Sequence, residues 1–178
     1  MATCTLWQEL PEELVHEILL NVRESDRRLY RVVVELTSRR LGVRQAKLLE
    51  MPKLERHELS RRVLSLPESE AISSHLFSHW LVQNRAPMLC AWLDALEISH
   101  DGQGLVEKFP QEPPVGRQRE ALEGLLARFP SQDVAIYLRL FNEIEDVHWK
   151  GLGEILSADE RLHLGGREAS EARGRGSL

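Results

Sequence analysis

Apolar residues recur along the chain at three- and four-residue steps, in short runs separated by Pro, Gly and clusters of charge. Such spacing places the apolar side chains of each run on one side of a helix. The densest run is His79 to Gly104, where Leu89, Trp92, Leu93 and Leu96 share a face, Cys90 lies beside it, and Asp94 and Glu97 fall opposite. Pro87 suits the first turn of this helix, where an N–H would have no intrahelical partner in any case. Ser99-His100-Asp101-Gly102 ends it, with Gly102 free to take the positive φ of a tight turn. Upstream, Ile72, His75, Leu76, His79 and Trp80 mark a second amphipathic helix. The turn Gln83-Asn84-Arg85 joins the two as an antiparallel hairpin.

The same pattern extends in both directions. Leu14, Val15, Ile18, Leu19 and Val22 follow Pro11, with Glu12 and Glu13 where a helix dipole favours negative charge. Ser25 or Asp26 caps a next helix bearing Leu29, Tyr30, Val32, Val33 and Leu36, which Gly42 stops. Pro52 divides the charge-rich stretch 43–66 into two short helices, the second carrying Leu54, Leu59, Val63, Leu64 and Leu66. Ser99 to Gly116 has no helical period and is rich in Gly and Pro. A loop of that length is either functional or packed as a surface Ω-loop, and Leu105, Val106 and Phe109 are its candidate pins. Two further helices follow, one on Leu122, Leu125, Leu126 and Phe129, the other on Val134, Tyr137, Leu138, Phe141 and Ile144. Asp146 is expected to cap a last helix carrying Trp149, Leu152 and Ile155.

The expected fold is all-α, with about eight helices packed as antiparallel hairpins in a single domain over 1–164. The hairpins around Arg85 and Pro130 align at an offset of 45 residues, which leaves a short solenoid-like stack open as a variant of the same architecture. From Gly165 to Leu178 there is nothing to bury, and a disordered tail is expected.

Composition narrows the setting more than the function. With 29% charged and 42% hydrophobic residues, the chain can bury a core without staples. It has no apolar run long enough to span a bilayer, so no membrane partner is expected. The first ten residues lack a basic region followed by an apolar one, so no secretory leader is expected. Cys4, near an end taken as mobile, and Cys90, on a core-facing helix, do not suggest a disulfide or a zinc motif. A reducing, cytoplasmic setting and no cofactor are the resulting expectations.

The net charge of −5 conceals an asymmetry: residues 23–62 hold 12 Lys and Arg against 6 Asp and Glu. This basic stretch is read first as a solvated face, and then as a patch for an anionic partner or a nucleic-acid backbone. In that second reading Arg27, Arg28, Arg31, Arg39, Arg40, Arg44 and Lys47 are the contact residues.

Candidate chemistry is sparse. His75 and His79 stand at i and i+4, a spacing at which two imidazoles can share a metal ion. Leu76 occupies the position where a metalloprotease helix would carry its glutamate, and no third ligand is evident. His100 and Asp101, beside two glycines, could line a pocket at a helix end, or serve only as a turn. No nucleophile elbow, P-loop or dinucleotide fingerprint is present. Leu10-Pro11-Glu12-Glu13-Leu14 with Ile18-Leu19 resembles the opening of an F-box, a short helical module that docks on an adaptor subunit of ubiquitin ligases. The resemblance covers about ten residues. The module's further hydrophobic signature and its frequent tryptophan are not matched between Asp26 and Gln45, and no functional residue is carried over. The residues favour a non-enzymatic helical module that holds a protein partner. A binder of nucleic acid or another anion through 23–62, and a metal-dependent activity at His75 and His79, are the alternatives.

Overall fold

A computed structural model describes residues 3–165; the expected tail from 166 onward lies outside the described residues. Within them the chain is all-helical, with ten α-helices, two short 3-10 turns and no strand. The helices are α1 (Thr3–Glu9), α2 (Glu12–Ser25), α3 (Arg27–Leu41), α4 (Gln45–Glu50), α5 (Lys53–Leu64), α6 (Glu70–Asn84), α7 (Ala86–Ala95), α8 (Val115–Leu126), α9 (Ser131–Asn142) and α10 (Lys150–Ala158). The excess over eight comes mainly from the N-terminus. Residues 3–9 form a helix because the Glu70 carboxylate accepts hydrogen bonds from the Thr3 and Cys4 N–H groups at 2.7 Å each. Cys4 is thereby buried, not at a loose end.

The chain divides into two compact units, Met1–Trp80 and Leu81–Leu178, with the division inside α6. In the first, α2, α3 and α5 pack on one another, and α1 lies on α5. Leu14, Val15, Ile18, Leu19 and Val22 of α2 are buried, as their spacing predicts. Asp26 caps α3 by accepting from the N–H groups of Arg28 and Leu29 at 2.9 Å. Gly42 ends α3 with φ of 65°, a conformation that a side chain disfavours. Two stripes differ from expectation. On α3 the buried set is Leu29, Tyr30, Val33, Val34 and Thr37, which leaves Val32 exposed. On α5 it is Arg56, His57, Ser60, Val63 and Leu64, while Leu54 is 55% exposed.

In the second unit, α7 packs on α8, and α10 packs on α8 and α9. Leu89, Trp92, Leu93 and Leu96 are buried together, as predicted. Phe141 is the hub of an aromatic cluster, with ring centroids at 6.1 Å from Trp92, 5.6 Å from Phe109, 5.8 Å from Tyr137 and 5.2 Å from Trp149. Arg85 pairs with the buried Asp133 at 2.6 Å.

The long loop before α8 is held by its own chemistry. A Cβ added at Gly104 would come within 2.5 Å of Leu89 Cβ, so only glycine permits this close approach. The Glu112 carboxylate accepts from the N–H groups of Gly151 at 2.6 Å and Lys150 at 3.3 Å. Glu112 therefore takes the capping role expected of Asp146, because the loop delivers a carboxylate to the start of α10.

Candidate functional site

The seven basic residues all lie in the first unit and all are exposed. Arg27, Arg28, Arg31, Arg39 and Arg40 are on α3, Arg44 precedes α4, and Lys47 is on α4. Arg39 is paired with Glu35 at 2.7 Å and Arg40 with Glu68 at 3.3 Å. The other five have no carboxylate partner among the described residues. The same stretch of chain exposes Val32, Leu41, Leu49 and Leu54, four of the seven large apolar side chains that stand out in water among the described residues. Short α4 contributes only Leu48 to the core, which leaves Leu49 and Lys47 facing outward.

His75 is exposed and His79 half-buried. Nε2 of His79 lies 2.7 Å from the Ser25 hydroxyl. The nearby Asp26 carboxylate is held below its usual range chiefly by the Leu29 N–H, then by the Arg28 N–H and by the charges of His79 and His75. Among the described residues no group of three or more His, Cys, Asp or Glu side chains is placed to hold a metal ion.

His100 and Asp101 are turned toward their own loop. Nδ1 of His100 accepts from the Gly102 N–H at 3.1 Å, so its proton is on Nε2, 3.0 Å from Asp94. Asp101 accepts from the N–H groups of Gln103 and Leu105. The Cys90 thiol donates to the Gly102 carbonyl, and burial, with Asp94 and Asp101 nearby, pushes it up from its ordinary range. A group so raised is a poor nucleophile. An open cleft of about 440 Å³ between α7 and α8 is floored by Ala91, Ala95, Ala121 and Gly124. Of its flanking arginines, Arg117 is committed to Glu97 and Arg128 lies over the Phe129 ring.

The polar centre that sequence spacing did not expose is buried among α2, α3 and α5. Arg56 is 5% and His57 2% exposed. Arg56 Nε donates to the Tyr30 hydroxyl at 3.0 Å, and that hydroxyl is 3.2 Å from His57 Nε2. Nδ1 of His57 is 2.9 Å from Nδ1 of His16. Arg56 donates to the Tyr30 hydroxyl, and two arrangements of the remaining protons satisfy the chain: Tyr30 donates to His57 Nε2 and His57 Nδ1 to His16, or His57 Nε2 donates to Tyr30 and His16 to His57 Nδ1. Burial lowers the His57 pKa to about 4, helped by the charges of His16, Arg56, Arg23 and Lys53. The readable signal was the stripe 56, 57, 60, 63 and 64, a regular helical face whose first half is polar.

Comparison with protein-family models, curated proteins and solved structures found no match.

Proposed function

We propose that this protein is a non-enzymatic helical interaction module, and that the outward side of 27–54 engages an acidic partner polypeptide carrying its own apolar side chains. The observation that supports this reading is the combination on one stretch. Arg27, Arg28, Arg31, Arg44 and Lys47 lack carboxylate partners among the described residues, and Val32, Leu41, Leu49 and Leu54 are exposed along the same stretch. Cations alone would suit a phosphate backbone. Exposed leucines add nothing to phosphate contacts, whereas an amphipathic acidic peptide uses both.

The test is fluorescence anisotropy with two probes, a synthetic Glu- and Leu-rich amphipathic peptide and a mixed-sequence DNA duplex, at about 50 and about 200 mM salt. The reading expects saturable peptide binding that weakens at least about tenfold in Leu49→Ser/Leu54→Ser and in Arg27→Ala/Arg31→Ala. Tighter binding of the duplex, with a steep salt dependence and no effect of the leucine changes, would replace it with the nucleic-acid alternative. Absence of binding to either probe would overturn both.

A further inference from the structure

Arg56 joins the buried polar chain to the outward side of 27–54. Its Nε donates to the Tyr30 hydroxyl at 3.0 Å, and one terminal nitrogen donates to the Leu49 carbonyl at 2.8 Å. Leu49 belongs to α4, which also carries Lys47, and both side chains are part of the proposed partner face. Helix α4 is six residues long, has no side-chain cap at its start and buries only Leu48. A helix this short holds its shape through tertiary contacts rather than by itself. Arg56 therefore straps a weakly held helix to α3 and α5.

The strap requires a neutral His57. Both arrangements of protons along the chain leave that ring uncharged. A second proton makes donors of both its nitrogens, whichever tautomer came before. The Tyr30 oxygen then faces two cationic donors, Arg56 at 3.0 Å and His57 at 3.2 Å, and its own proton has no acceptor among the described residues. The groups around His57 supply no compensation. His16 and Arg23 come from α2, Tyr30 from α3, and Arg56 and Lys53 from α5 itself. Glu35 of α3 is held by Arg39, and Glu58 of α5 by Arg61 and Arg62. The remaining neighbours, α1 and α4, carry one carboxylate each, Glu9 and Glu50. Two buried cations sharing one neutral oxygen are costly, and the relief is for one of them to reach water. His57 is fixed among three helices, whereas the long Arg56 side chain reaches water by letting go of Tyr30 and Leu49. We propose that His57 is an acid-sensitive latch: its protonation breaks the Tyr30 bridge, frees Arg56 from the Leu49 carbonyl and loosens α4, so that the partner face weakens in mild acid. The effect on partner binding rests on the proposed partner face; the latch itself does not.

The experiment is amide hydrogen exchange of the full chain, read by NMR at about pH 7 and about pH 5 and corrected for the intrinsic pH dependence of exchange. The reporters are the Leu48 and Met51 N–H groups, which donate to the Arg44 and Leu48 carbonyls. Their protection should fall by about tenfold or more in acid, while that of α9 in the second unit holds. His57→Phe should abolish the fall. Arg23→Glu, an exposed change, replaces a cation that His57 feels with a carboxylate and should move the fall to higher pH. It decides the matter if His57→Phe does not fold. No fall in the native chain, an equal fall in His57→Phe, or no movement in Arg23→Glu would overturn the latch. The Glu- and Leu-rich peptide is then titrated at the same two pH values. Binding should weaken by about tenfold in acid in the native chain and not in His57→Phe. Unchanged affinity beside a loosened α4 would overturn the regulation of the face. A peptide that fails to bind at neutral pH would sink the partner face instead, and the exchange data alone would judge the latch.

Discussion

The seam where α2, α3 and α5 meet and the cluster around Phe141 are built on the same helical spacing and filled with opposite chemistry. Around Phe141, four aromatic rings from α7, α9, the long loop and the start of α10 converge within 6.1 Å, and the contacts are apolar. In the seam, the matching positions hold Arg56, His57, Tyr30, Thr37 and Ser60, joined by hydrogen bonds. An aromatic cluster stabilises through buried area and does not respond to pH. A polar chain gains little net energy from each bond, loses much when one link is removed, and titrates. The contrast separates what holds the second unit together from what gives the first its chemical possibilities.

Three changes test that contrast, from the largest effect to the smallest. Phe141→Ala removes the hub and should cost about 3–5 kcal/mol in urea unfolding at neutral and at acid pH alike. A loss that depended on pH would show that the aromatic cluster is coupled to titrating groups, and the contrast would fail.

The second change is pH itself. His57 takes up a proton near pH 6.5 when unfolded and only near about 4 in the fold. Between those values the unfolded chain binds more protons, so stability rises with pH. The contribution is complete above pH 6.5 and is lost progressively as pH falls toward 4, by up to about 3 kcal/mol. His57→Phe should flatten this part of the stability profile. An unchanged slope in the variant would assign the acid sensitivity to other groups.

Tyr30→Phe is the smallest. It keeps the ring and deletes the link between Arg56 and His57, leaving Arg56 Nε and His57 Nε2 without their shared partner, for a loss of about 1–3 kcal/mol. The histidine ring protons, followed by NMR, should report it. A His57 titration curve identical to wild type would mean that the hydroxyl does not order the chain.

Much of the architecture was legible. The stripe on α2, the hairpin residues on α7, Asp26 as a cap, Gly42 as a stop and Pro52 as a divider are local matters of spacing and backbone conformation. The candidate site was legible only in part. The basic stretch was visible as charge, but its unpaired members and the leucines beside them depend on where Glu35 and Glu68 fall. On α5, apolar spacing pointed to Leu54 and Leu59, whereas the buried face begins with Arg56 and His57. A polar side chain is buried only when partners await it, and Tyr30 and His16 come from helices 26 and 41 residues away in sequence.

Helicity, the starts and stops of most helices, and the gathering of positive charge in 23–62 are written locally along the chain. Those properties follow from periodicity, caps and composition, each set within a few residues. Tertiary contacts alone set α1 on the Glu70 carboxylate, bring Glu112 to cap α10, and link a buried arginine through Tyr30 to two histidines, with no carboxylate partner among the described residues. Each of these joins groups remote along the chain, and no local spacing encodes which remote partner will arrive.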